Sequence, residues 1–252
     1  MSRLRGVIRK QVQRGRNAVR RLRSGLPLYA AENVSPEVPN DLFQAHLSIY
    51  HFFARFVAGR RVLDIGCGTG YGTAYLLRSG ARAVVGVDQD RRSIAYARSH
   101  YAEPGLEFLV GDAEVLPPEL GTFGTVVSSN VFEHLHDPAR ALERVRRHLL
   151  PEGQFLLVVP PILDEASLAA NRANPFHRSN LFVWEWTALL SRCFGQVRAF
   201  RHLPPPGSAP SFTDPFPSSL TPADFEFLEV PAAELGSAFT LGAVFLCSEP
   251  HG

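Results

Sequence analysis

The chain is poor in the residues that staple small or secreted folds. Its three cysteines, Cys67, Cys193 and Cys247, are odd in number and far apart. They form neither a CxxC pair nor a zinc-ligand set, so no disulfide framework or structural zinc is expected, and free thiols suit a reducing compartment. No run of about 18 apolar residues occurs, which argues against a spanning helix. The basic first residues lack the apolar stretch of roughly 7–15 residues that a secretory signal carries. A cytoplasmic protein is therefore expected. Lysine is nearly missing: Lys10 is the only one, and arginine supplies the rest of the 26 basic side chains. At 45% apolar and 20% charged over 252 residues, the composition excludes fibrous, collagen-like and wholly disordered chains.

The net charge of +2 is unevenly spread. Residues 1–23 hold nine basic side chains and no acid, while the remaining 229 hold 17 basic against 24 acidic ones. A mildly acidic body is a poor nucleic-acid binder, so no nucleic-acid partner is expected. The basic segment places Leu4, Ile8, Val12, Val19 and Leu22 at roughly helical spacing. It reads as an amphipathic helix in weak contact with an anionic membrane surface, peripheral to a cytoplasmic body, or as a solvated arm, because Gly6 and Gly15 interrupt the stripe. Residues 1–24 are set apart as a basic N-terminal arm, and 25–252 as one large domain.

From residue 40 the pattern is regular. Asn40 or Asp41 can cap a helix whose face is Phe43, Leu47, Tyr50, Phe53, Ala54 and Val57, ended by Gly59. Strands are expected at Arg61–Ile65, Ala83–Asp88, Leu106–Val110, 123–128, 153–160, 196–201 and 239–247. Helices are expected at Tyr71–Arg78, 91–101, 137–150 and 181–194, the last carrying Trp184 and Trp186 as core residues. Continuously apolar strands joined by helices imply an α/β, doubly wound, seven-stranded, mostly parallel sheet. Right-handed crossovers put the strand C-termini along one edge, where such sheets take ligands. Residues 204–222 hold seven prolines and read as a loop. Phe212 and Phe216 either pin that loop to the surface or cap a pocket.

The strongest signal is Val62-Leu63-Asp64-Ile65-Gly66-Cys67-Gly68-Thr69-Gly70-Tyr71-Gly72, which follows a strand and opens a helix. Its glycines allow a tight turn and close ligand approach, and the helix start offers N–H groups and a positive dipole end. A dinucleotide fingerprint, G-x-G-x-x-G, fails in every frame, because Tyr71, Thr73 or Tyr75 stands where the third glycine belongs. A nicotinamide oxidoreductase is thereby disfavoured. Asp64 ahead of the glycines suits a ligand with an ammonium group better than a pyrophosphate.

This segment resembles the first motif of the class I S-adenosylmethionine-dependent methyltransferases. Further signals fall in the same order: Asp88-Gln89 after the second strand, Gly111-Asp112-Ala113 after the third, and Asn130-Val131-Phe132-Glu133-His134-Leu135 after the fourth. The resemblance implies a Rossmann-like methyltransferase fold and S-adenosylmethionine as cofactor. It implies ribose hydroxyls on Asp88, the adenine amino group on Asp112, and the methyl donor beside Glu133-His134-Leu135. The cofactor-binding candidates are Asp64, Gly66, Cys67, Gly68, Gly70, Asp88, Gln89, Asp112, Ala113 and Asn130, the last standing where many members have an acid. The chain is also similar to bacterial small-molecule and sugar methyltransferases around Ala45-His46-Leu47-Ser48-Ile49-Tyr50 and Asn174-Pro175-Phe176-His177.

Methyl transfer from a sulfonium to a hydroxyl needs in-line approach at roughly 3–3.5 Å and a base for the proton. His134 and His177 are the candidate bases, since an imidazole pKa near 6.5 suits the task. The alternative for His134 is a structural imidazole that orients the loop, and for His177 a loop residue bonded to backbone. Glu133 would orient His134 or touch the acceptor, and His136 stands beside Asp137, a helix cap. No metal site is evident and none is expected. The favoured activity is methyl transfer to a small-molecule hydroxyl on a sugar, glycan or secondary metabolite. The alternatives are a membrane-associated quinone or lipid precursor as acceptor, or a non-catalytic cofactor-binding module.

Overall fold

Short apolar runs decide the sheet. Val62, Leu63 and Ile65 of β1 (Arg61–Ile65), Val84, Val85 and Val87 of β2 (Ala83–Asp88), and Val126 and Val127 of β4 (Phe123–Ser129) are all buried. The remaining strands are β3 (Leu106–Val110), β5 (Leu149–Val159), β6 (Phe194–Leu203), β7 (Glu226–Val230) and β8 (Ala243–Pro250). In the computed structural model, which describes residues 34, 36–37, 39–212 and 216–251, they form one sheet ordered β3-β2-β1-β4-β5-β8-β6-β7. β1 to β5 run parallel, β8 lies antiparallel between β5 and β6, and β7 is antiparallel at the edge.

Six α-helices flank the sheet: α1 (Asp41–Phe53), α2 (Tyr71–Arg78), α3 (Arg91–His100), α4 (Pro138–Arg147), α5 (Glu165–Arg172) and α6 (Val183–Ser191). Alternate strand residues point to opposite faces. Val62, Val84, Val127 and Val158 therefore pack under Tyr50, Phe52 and Phe53 of α1 and Leu76 of α2. Leu63, Val85, Val126 and Phe155 pack under Leu142 and Val145 of α4 and Trp186 and Leu190 of α6. Each fully buried side chain of this size stabilises the fold by roughly 1.5–3 kcal/mol relative to exposure. The strand order reverses between β1 and β4, which opens a crevice at their C-terminal ends.

Several elements differ from expectation for physical reasons. Asn40 is the cap of α1, accepting the N–H of Phe43 at 3.0 Å, but the α-helix stops at Phe53 and tightens into a 3-10 turn, Ala54–Phe56, before Gly59. The sheet has eight strands rather than seven. β7 has Glu226, Leu228 and Glu229 exposed, as befits a solvated edge strand, and so lacks a buried-strand pattern. α5, started by a reciprocal cap between Asp164 and Ser167, was not expected either. Residues 149–150 open β5 instead of closing α4. Trp186 is in the core at 1% exposure, whereas Trp184 is 53% exposed and stacks on Phe182. The basic arm at 1–24 lies outside the described residues. The proline-rich loop is tied to Asp41 at the start of α1 through Ser211 N–H and the Ser218 hydroxyl. Among the described residues no helix is long and apolar enough to cross a membrane.

Candidate active site

The glycine turn sits at the C-terminal end of β1, next to β2. Gly66 and Cys67 donate their N–H groups to the Val87 carbonyl at 2.7 and 3.1 Å. Gly66 has φ +74°, and a Cβ there would stand 2.1 Å from Val131 of the loop after β4. Asp64 lies under the turn with no exposed surface. The Tyr50 hydroxyl donates to Asp64 Oδ1 at 3.2 Å and the Thr73 hydroxyl to Oδ2 at 2.7 Å. Gly72 makes this possible, because a Cβ there would sit 2.1 Å from the Tyr50 ring. Burial pushes the Asp64 carboxyl up to about 7, against the pull of its two hydroxyl donors. Gly70 likewise faces inward, toward Ala97 and Phe108. Asp64 and Gly70 thus shape the turn from behind, while Gly66, Cys67 and Gly68 line the cavity in front.

That cavity holds about 610 Å³, a size suited to a small ligand. Its first wall carries Asp88, Gln89, Asp112 and Ala113. Asp88 Oδ2 accepts the N–H of Gly68 at 2.9 Å and Oδ1 that of Asp90 at 2.8 Å. Each oxygen keeps a second lone pair, so the carboxylate can also accept two hydroxyls of a diol. Burial raises the Asp88 pKa, and the two N–H donors oppose the rise. Asp112 is exposed and accepts the Glu114 N–H at 2.9 Å. Burial, with Asp64 and Asp88 nearby, pushes the Cys67 thiol well up, so it stays neutral and is no nucleophile. A paired acceptor for a diol and an exposed acceptor for an amine fit a nucleoside cofactor.

The facing wall begins at Asn130, a non-glycine residue at φ +54° whose N–H donates to Val158 O at 2.9 Å. The Glu133 carbonyl accepts N–H groups from Arg178 at 2.7 Å and Ser179 at 2.9 Å, and the Ser179 hydroxyl donates to Leu135 O at 2.8 Å. These bonds strap the segment after α5 onto the loop after β4. They bring Glu133, His134 and His177 together: the two imidazole rings are 5.0 Å apart, and His134 Nε2 is 3.9 Å from Glu133 Oε1.

The tautomers follow from the partners. The Phe176 carbonyl can only accept, so His134 Nδ1 donates to it, at 3.1 Å. Asn180 Nδ2 donates to the His177 carbonyl at 3.3 Å, which leaves Asn180 Oδ1 to accept from Asn171 Nδ2 at 2.9 Å. Asn171 Oδ1 therefore faces His177 Nδ1, which donates to it at 2.6 Å. With Nδ1 donating in both rings, Nε2 is the nitrogen that can accept.

Four residues outside the candidate site set also matter here. His46 lines the cavity from α1, and burial lowers its pKa to about 4, so it is neutral near pH 7. Its spacing of four from Tyr50 was the available signal, since that places both on one helix face. Tyr50 and Asn171 act as described above. Glu114 Oε1 accepts the N–H groups of His136 and Asp137 at 2.6 and 3.0 Å and so fixes the exposed His136 at the rim.

Comparison with known proteins bears on this arrangement. Residues 63–157 match a methyltransferase domain family. The chain is 36% identical over 171 residues to a Mycolicibacterium smegmatis protein named "Probable S-adenosylmethionine-dependent methyltransferase", covering 67% of this chain and 65% of that one. It is 36% identical over 126 residues to phthiotriol/phenolphthiotriol dimycocerosates methyltransferase 1 of Mycobacterium ulcerans, covering 48% of this chain and 45% of that one. The matches to these curated relatives thus span 65% and 45% of their length. The solved YcgJ protein of Bacillus subtilis shares the fold, with a TM-score of 0.58 at 22% identity over 82% of this chain and 99% of that one. Motif and sequence likeness agree: around its glycine turn and parallel strands the chain is similar to the class I S-adenosylmethionine-dependent methyltransferases, whose fold it shares.

Proposed function

We propose that the chain transfers the methyl group of S-adenosylmethionine to a hydroxyl of a small-molecule acceptor, of the sugar, glycan or secondary-metabolite class. The cofactor supplies an electrophilic methyl group. Asp88 accepts the ribose hydroxyls and Asp112 the adenine amino group, with Cys67, Gln89 and Ala113 beside them and Asn130 contributing from the facing wall. The side-chain-free turn at Gly66 and Gly68 leaves room for the methionine portion. The acceptor hydroxyl loses its proton at the Glu133–His134–His177 cluster, and an imidazole Nε2 takes it where no other group is bound. Glu133 then stabilises the imidazolium across the 3.9 Å separation. The domain doing this is residues 25–252, with 1–24 as an appended arm.

The observation that supports this reading best is the pair of imidazoles held, by Nδ1–H bonds to two oxygens, in the same cavity as Asp88. A non-catalytic cofactor-binding module gives no reason for them. Calorimetry with S-adenosylhomocysteine should show one site, weakened roughly tenfold or more in Asp88→Ala, as expected for loss of an acceptor that is charged. In an acceptor panel, His134→Gln or His177→Gln should lower turnover roughly tenfold or more while that affinity holds. Full turnover in both variants would refute a histidine base.

A lipid or quinone precursor is the second reading for the acceptor. It draws on the Mycobacterium ulcerans relative, whose name includes phthiotriol dimycocerosates, and on apolar cavity residues such as Leu42, Val131, Leu135 and Phe176. Sedimentation with anionic vesicles, with and without residues 1–23, tests whether the arm brings the domain to a membrane surface. Equal sedimentation of both forms removes that role.

A further inference from the structure

We infer that Glu133, His134 and His177 form a binding site for one divalent transition-metal ion. The inference stands on the geometry of the cluster. It rests on the methyltransferase reading only for what the ion does, which is to take an acceptor oxygen as its next ligand.

Three observations support it. First, one ligand atom from each residue, an imidazole nitrogen from each histidine and a carboxylate oxygen, lies within 4.8 Å of the other two. Metal–ligand bonds of about 2.0–2.2 Å need such atoms roughly 3–4.4 Å apart, so small side-chain rotations close the site. Second, each histidine gives its Nδ1–H to an oxygen, His134 to the Phe176 carbonyl and His177 to the Asn171 amide. That is the outer-shell pattern of metal-bound imidazole: it fixes the tautomer and makes Nε2 the ligand nitrogen of each ring. Third, the set exceeds what a proton transfer uses. One imidazole and one carboxylate make a base, and the second imidazole, with its ring 5.0 Å from the first, supplies a third ligand that proton transfer does not require.

The donor set selects the ion. Two nitrogen ligands and one oxygen favour zinc, cobalt, manganese or iron over magnesium or calcium, which prefer oxygen alone. Two imidazoles and a carboxylate on one face leave positions open toward the cavity. A hydroxyl entering one of them is polarised as metal-bound water is, in the chamber that also holds Asp88.

The test uses the chelator-stripped chain, titrated with zinc chloride by calorimetry and with cobalt chloride by visible absorption. The expected result is one ion per chain, with cobalt d–d bands of a low-coordinate nitrogen–oxygen site. His177→Gln and Glu133→Gln should weaken binding roughly tenfold or more, and the outer variant Asn171→Ala by roughly 10–100-fold. S-adenosylhomocysteine binding in each variant reports that it is folded. No saturable zinc heat, or variants that bind zinc and cobalt as the wild type does, would overturn the site. The two proposals fail separately: zinc binding without S-adenosylhomocysteine binding sinks the methyltransferase reading, and the reverse sinks the metal site.

Discussion

The two walls of the cavity are built on different principles. The wall beneath the glycine turn is made by local backbone geometry: a positive φ at Gly66, carbonyl contacts to β2, and Asp64 sealed between Tyr50 and Thr73. The facing wall is made of side chains held from far along the chain, with His134 bonded to a carbonyl 42 positions away. Asp64 and Glu133 show the contrast within one residue type. Both are buried carboxylates, but Asp64 faces two hydroxyls behind the cavity, whereas Glu133 faces imidazoles at its edge. A surface defined by the backbone tolerates little change. One strapped on by a few hydrogen bonds can be rebuilt for another acceptor while the first wall stays as it is.

The largest effect expected is at Asp64. Asp64→Ala leaves two buried hydroxyls without their acceptor, at a cost of roughly 2–5 kcal/mol, and should also abolish S-adenosylhomocysteine binding. The sign of the pH dependence is fixed by the rise of the carboxyl from 3.8 to about 7. Between those values the folded chain holds a proton that the unfolded chain has released, so stability falls as pH rises through the window and levels off above it. Asp64→Asn should flatten that slope in melting curves taken across the range. An unchanged slope would mean that the sealed carboxylate is not what separates this wall from the other.

Gly66→Ala comes next. Its Cβ would collide with Val131 from a left-handed backbone, and overpacking of this kind costs the fold roughly 1–3 kcal/mol and should weaken S-adenosylhomocysteine binding measurably. Adding Val131→Ala should restore part of the loss. No recovery would show that the walls do not meet at this contact. The smallest effect belongs to the strap: Ser179→Ala removes one hydrogen bond to Leu135 O, worth about 1 kcal/mol. It should lower acceptor turnover more than cofactor affinity, and equal losses in both would erase the distinction between the walls.

The first wall was largely legible in the chain because its chemistry is local. Asp64, Gly66, Asp88 and Asp112 each stand at a strand end, where the residue type answers directly to the backbone it must adopt. What could not be read was direction. Nothing near Asp64 says that it points away from the cavity, because Tyr50 and Thr73 reach it from two different helices. On the second wall His134 and His177 carried a signal, but Asn171 and Asn180 did not, since amides that orient a histidine have no characteristic spacing. The eighth strand escaped notice for a related reason. An edge strand needs only one partner and one buried side, and Glu226 and Glu229 mask its apolar residues.

The position of β8 sets the order in which the sheet can assemble. Residues 243–250 lie between β5 and β6, pairing with both, although they are synthesised after β6 and β7. The parallel strands from β1 to β5 can gather early around their helices. The antiparallel β6–β7 pair, joined through residues 204–225, meets the parallel strands only through β8. Emergence of β8 from the ribosome is therefore the event that unites the two blocks, and a chain stalled before it would expose the side of β5 as an open template for strangers.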